Sequence, residues 1–148
     1  MNFQTAVTTC VTQKYAQFKG RGSRSEYWWF MLAYVVGALL IGLIGVGFLS
    51  MIYGLALIVP AAAAGFRRLQ DMGKPGWYIF IAIGLSLLMS FVAPAPPSIE
   101  PGQMPSMTGI GFLSVLGLVQ LVVGIVFLWW LTRPSDPDTN AYGPPPPS

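Results

Sequence analysis

The sequence predicts an all-α integral membrane protein: a four-helix bundle of two helical hairpins, preceded by an amphipathic helix in the membrane interface. Three observations predict it. Forty consecutive residues, Tyr27 to Phe66, carry no charge, and a second uncharged run follows Lys74. All eight Lys and Arg fall in three places: before Tyr27, between Arg67 and Lys74, and at Arg133. The tryptophans Trp28, Trp29, Trp77, Trp129 and Trp130 lie at the ends of the apolar runs beside those basic places. With 9% charged residues and a mean hydropathy of +0.62, the chain cannot cover itself with a soluble surface.

Along the chain, Phe3, Val7, Val11, Tyr15 and Phe18 recur at helical spacing with Thr, Gln and Lys between them. Residues 2–19 therefore read as an amphipathic helix, with Lys14 and Lys19 toward headgroups or with its apolar face packed on its own bundle. Met1–Phe18 lacks the continuous apolar core of a signal peptide. Gly20 and Gly22 break this helix. Ser23 with Glu26 forms a capping box: the hydroxyl takes the Glu26 amide and the carboxylate returns to the cap.

A helix crosses a ~30 Å hydrocarbon core in about 20 residues, so forty uncharged residues make two spans, 27–46 and 47–66. Gly45-Val46-Gly47 and Ser50 are the turn candidates. Ala33/Gly37, Ala38/Gly42 and Ala61/Gly65 are spaced for close helix approach, and Pro60 removes a backbone donor inside the second span. Arg67-Arg68-Leu69-Gln70-Asp71-Met72-Gly73-Lys74-Pro75-Gly76-Trp77 is a polar island. Gly73 stops the second span there, and Pro75 opens the next helix. Spans three and four are 77–92 and 110–131, separated by the Pro- and Ser-rich loop 94–109. Gln120, in mid-span, calls for an inter-helix hydrogen bond or a substrate contact, the former having the stronger support. The tail, 134–148, ends in a polyproline run.

Two crossings between each pair of basic places put all three on one side, and the positive-inside rule makes that side the cytoplasm, with both termini. A polar cluster is expected there: Arg21, Arg24, Glu26, Arg67, Arg68, Asp71, Lys74, Asn140 and Tyr142. Charge economy pairs Asp71 with Arg24 or Arg21. The tail either stays disordered or folds back through Asn140 and Tyr142, the latter ring lying on Trp77.

These motifs resemble those of the DUF805 family of small bacterial inner-membrane proteins. Phe18-Lys19-Gly20-Arg21-Gly22-Ser23-Arg24-Ser25-Glu26-Tyr27-Trp28 is similar to F-x-G-R-x-x-R-x-E-[YF]-W, and the polar island to R-R-L-H-D-x-G-x-S-G-W. Asn140-Ala141-Tyr142-Gly143 is similar to the tail motif N-x-Y-G. Gln70 stands where the family usually has His, and Pro75 where Ser is usual, so a role resting on that His is not shared. The resemblance implies a multi-pass bacterial inner-membrane protein, so the far side to which the threading assigns the 94–109 loop is the periplasm; it implies no activity.

Three function classes remain. The first is a non-enzymatic module binding anionic membrane lipid or a protein partner at its cytoplasmic Arg-rich face; Arg can hold phosphate or carboxylate bidentately. The second is a small transporter or channel, which four spans form only as a homo-oligomer, with no charged residue deep in any span. The third, an intramembrane enzyme, has the least support, since Glu26 and Asp71 come with no nucleophile–base set. One Cys and no His leave no metal cluster and no cofactor to assign. The basic residues flank apolar runs and so point to lipid and topology, with no nucleic acid implied.

Overall fold

The structure, a computed structural model, describes residues 1–92 and 107–146, with side chains through 91 and from 114 on. The described elements are helical: α1 (Phe3–Thr8), a π-helical turn (Thr9–Gln13), α2 (Arg24–Ile44), α3 (Gly47–Asp71), a 3-10 turn (Gly76–Tyr78), α4 (Ile79–Val92) and α5 (Met107–Thr132). Among the described residues, Arg24–Ile44, Gly47–Asp71 and Ser114–Thr132 are each long and apolar enough to cross a membrane, and Gly76–Phe91 is a shorter apolar helical stretch. Leu43 and Phe91 are each 85% exposed, a surface suited to hydrocarbon and costly in water. The expected 94–109 loop lies outside the described residues up to 106, and α5 begins at Met107, inside that expected range.

The chain divides into two compact units, Met1–Ile79 with Trp130–Ser148, and Phe80–Trp129. In the first unit, Asn2 caps α1 by accepting from the Thr5 amide at 2.8 Å. The helix expected over 2–19 is shorter: regular structure ends at Gln13, so Tyr15 and Phe18 lie beyond it. The reason is competition for carbonyls. Arg67 donates to the carbonyls of Lys14 and Gln17, at 3.2 and 2.7 Å, and draws this stretch onto α3. Ala6, Thr9 and Cys10 are buried against protein, which favours the bundle-packed alternative for this segment. The Tyr15 hydroxyl donates to the Ala56 carbonyl in α3.

Ser23 caps α2 as expected, accepting from the Glu26 amide at 3.1 Å. α2 ends at Gly45 in the left-handed region, and α3 begins two residues later, so Ser50 lies within a helix and not in the turn. Along the α2–α3 contact, Tyr34 and Tyr53 stack with ring centres 5.8 Å apart. The Tyr53 hydroxyl donates to the Tyr34 carbonyl at 3.0 Å, passing where Gly37 has no side chain; a Cβ there would overlap it. α3 stops in a Schellman motif: Gly73, at φ +70°, donates to the Gln70 carbonyl at 3.1 Å, and Lys74 to the Leu69 carbonyl at 3.0 Å. Pro75 is extended and precedes the 3-10 turn, so α4 starts at Ile79, later than the 77 expected for span three.

In the second unit, Ser86 on α4 donates to the Ala82 carbonyl and accepts from the Gln120 side-chain amide of α5 at 2.9 Å. Gln120 thus makes the inter-helix bond expected of a polar group among apolar helices.

Candidate functional site

Two buried carboxylates organise the polar end of the first unit. Glu26, in the first turn of α2, sits where its side chain faces the end of the π-helical turn and α3. Arg67 donates to one of its oxygens at 2.9 Å and Lys14 reaches the other at 3.3 Å. The Cys10 thiol lies 4.0 Å from the first oxygen and 3.7 Å from Arg67. The carboxylate therefore does not return to the helix cap as a capping box requires. Two cations compensate its burial better than one amide could.

Asp71 is the last residue of α3 and is fully buried. Arg21 donates Nε to one of its oxygens at 2.9 Å, and Arg68, one helical turn earlier, donates to the other. Of the two partners expected for Asp71, the structure selects Arg21. Arg24 opens α2 and is exposed.

Three arginines against two carboxylates leave a surplus of buried positive charge. Arg21, Arg67 and Arg68 are 7%, 1% and 0% exposed. Backbone carbonyls absorb the surplus. Arg21 donates to the carbonyls of Asp71, Asp136, Asp138 and Gly143. Arg68 donates to those of Leu131, at 3.1 Å, and Arg133. The Trp28 indole adds a second donor to Leu131 at 3.3 Å. Leu131 lies in the last turn of α5, where carbonyls lack helical donors and the dipole is negative, so cations are favoured there. Arg67 Nε has no partner among the described residues.

The tail closes over this cluster. The Asp136 amide donates to the Asp71 carbonyl at 3.1 Å, and the Asn140 side chain to the Gln70 carbonyl at 3.0 Å. Asn140 and Gly143 exchange backbone bonds of 3.2 and 3.1 Å, and the Tyr142 amide bonds the Asn140 side-chain oxygen at 2.9 Å. Tyr142 does not lie on Trp77 as expected. It lines a cavity of about 290 Å³ with Lys14, Arg21 and Glu26, while Trp77 is edge-on to Tyr78. Lys74 also stays out of the cluster, its ammonium 4.4 Å above the Trp130 ring. A second cavity, about 450 Å³, opens between Met72, Lys74 and the 133–137 segment. No group of three His, Cys, Asp or Glu suited to a metal ion occurs among the described residues.

Of the nine residues expected at the cytoplasmic face, Arg21, Glu26, Arg67, Arg68, Asp71 and Asn140 thus meet in one network. Arg24, Lys74 and the Tyr142 ring do not join it. Reasoning from sequence missed Lys14 and Cys10 as its members, although both lie one helical turn apart on the N-terminal segment. It also missed the carbonyls of the tail, which no residue letter marks.

A family profile described as "Protein of unknown function (DUF805)" matches residues 15–144. Among curated proteins, the chain is 33% identical to Inner membrane protein YhaH of Escherichia coli (strain K12) over 81 residues, 48% of this chain and 67% of that protein. It is 41% identical to Inner membrane protein YhaI of the same strain over 73 residues, 45% of this chain and 61% of that protein. Each alignment thus spans about half of this chain and under or about two thirds of the relative. No solved structure matches the chain significantly.

Proposed function

The chain belongs to the DUF805 family and is a membrane protein, and from that premise we propose that it is a non-enzymatic, multi-pass inner-membrane module that engages anionic lipid at its cytoplasmic rim. In this reading it crosses the bilayer four times with both termini in the cytoplasm, as the one-sided Lys and Arg favour. Short α4 spans by local thinning and tryptophan anchoring.

The observation that carries the reading is the division of labour among the basic residues. Arg21, Arg67 and Arg68 are buried and bonded to the chain's own carboxylates and carbonyls, so they close the fold and do not meet headgroups. Lys19 and Arg24 are exposed, and they form the rim left to face lipid phosphate. Each such group near an anionic surface contributes about 1 kcal/mol. Both oxygens of Glu26 and of Asp71 are engaged by cations, which suits structural carboxylates and leaves neither poised as a general base.

The test is lipid retention by the purified full chain. Lys19→Glu with Arg24→Glu, both at exposed positions, is expected to lower co-purifying anionic lipid while the melting temperature holds. Unchanged anionic lipid in the double variant would refute the rim. Single cysteines at Lys19 and Val46, in a Cys10→Ser background, test the threading in intact cells. An impermeant thiol reagent is expected to label position 46 only, and labelling of position 19 would reverse the orientation.

A further inference from the structure

We propose that the cavity between the end of α3 and the 133–137 segment binds the headgroup of a zwitterionic aminophospholipid, a phosphodiester carrying a primary ammonium. This goes beyond the anionic rim and does not depend on it. The cavity, about 450 Å³, is lined by Lys74 and Arg133 and by Ser135 and Asp136. Lys74 and Asp136 carry opposite charges yet pair neither with each other nor with another charged side chain among the described residues. Opposite charges that line one cavity without pairing complement a ligand that carries both.

The backbone explains why they stay apart. Asp136 is fixed by its amide, which donates to the Asp71 carbonyl at 3.1 Å, and by its carbonyl, which accepts from Arg21. The Asn140 side-chain amide holds one carboxylate oxygen at 3.4 Å and leaves the other as an acceptor. Lys74 is held by the Trp130 ring, which stacks on Tyr78 with centres 6.0 Å apart. An ammonium resting on an indole face still has N–H donors facing away from the ring. The lysine and the Ser135 hydroxyl supply donors for phosphate, and Asp136 supplies the acceptor for ammonium. A simple anion would meet the Asp136 carboxylate, and a simple amine would meet Lys74, so each alone is the poorer ligand.

Location selects a lipid over a soluble ester. The cavity lies just past the ends of two long apolar helices, beside Trp130 and Tyr78, residue types that favour the headgroup layer.

The experiment is native mass spectrometry of the full chain in mild detergent, with phosphatidylethanolamine, phosphatidylcholine and phosphatidylglycerol supplied at equal concentration. Ethanolamine lipid is expected to be retained about fivefold over the choline lipid, whose methylated ammonium cannot donate to Asp136. Asp136→Asn keeps the backbone contacts and is expected to erase that preference, and Lys74→Gln to weaken both lipids. Equal retention of ethanolamine and choline lipids by the wild type, or an unchanged preference in Asp136→Asn, overturns the proposal. Soluble glycerophosphoethanolamine is expected not to displace the lipid at matched concentration. Full displacement would reassign the cavity to a free phosphodiester and overturn the lipid assignment. Failure of the anionic rim would show in glycerol-lipid retention and leave the ethanolamine-to-choline ratio untouched.

Discussion

The hydroxyl of Tyr15 bonds the carbonyl of Ala56, the one that Pro60, four residues on, leaves without a helical donor. A proline inside an apolar helix normally strands that acceptor, at a cost comparable to a lost hydrogen bond. Here a residue from the N-terminal segment supplies the donor, 41 positions away in sequence. The same contact ties that segment to α3 beyond the reach of Arg67.

Tyr15→Phe is therefore expected to destabilise the protein by about 1 kcal/mol. In a Pro60→Ala background, residue 60 regains its own amide and the loss is expected to vanish. Equilibrium unfolding in detergent, run as a double-mutant cycle, reads the difference. Equal losses in both backgrounds would show that the tyrosine acts by packing alone.

Asp71 binds two buried arginines, so Asp71→Asn leaves both without a countercharge. A loss of about 3–5 kcal/mol is expected, the range for breaking a buried pair by removing one partner. Arg21→Gln alone also loses the tail contacts. Combined with Asp71→Asn it is expected to cost less than the sum of the two, since one interaction cannot be lost twice. Additive losses in detergent unfolding would mean that the two side chains are energetically separate.

Burial, reinforced by the Glu26 charge, pushes the Cys10 thiol up from 9.0 to about 11. The folded chain then holds a proton that the unfolded chain gives up once pH exceeds the ordinary thiol value. The unfolded state binds fewer protons across that window, so stability falls as pH rises from about 9 to about 11. The wild type is expected to lose melting temperature more steeply over this window than Cys10→Ala. Parallel slopes would contradict the buried, protonated thiol. At neutral pH the thiol is expected to resist maleimide until the fold opens.

Much of this architecture is legible in the letters, for identifiable reasons. Gly73 marks the end of α3 because a left-handed residue is needed there, and Ser23 marks the start of α2 because an amide needs its hydroxyl. Charge economy names Arg21 or Arg24 for Asp71, only the fold distinguishes them, and the second partner, Arg68 one turn earlier in α3, goes unnamed. The length of the N-terminal helix is not legible, because Arg67 captures the carbonyls of Lys14 and Gln17 from across the fold. Local periodicity cannot register such a competitor. The fate of the arginines is hidden for the same reason. An arginine beside a membrane reads as a headgroup ligand, and nothing in the letters shows that the tail carbonyls of Asp136, Asp138 and Gly143 already occupy its donors. Every residue carries a carbonyl, so no sequence pattern singles these out.

Arg21 serves as a clasp that holds the tail on the end of α3. Amide hydrogen exchange of the full chain in nanodiscs tests it most directly. The amides of Asp136, Asn140 and Gly143, each bonded to a backbone carbonyl, are expected to be protected in the wild type. They are expected to exchange freely in Arg21→Gln while the α3 amides stay protected. Tail amides that exchange at the unprotected rate in the wild type, or that remain protected in Arg21→Gln, would contradict the clasp.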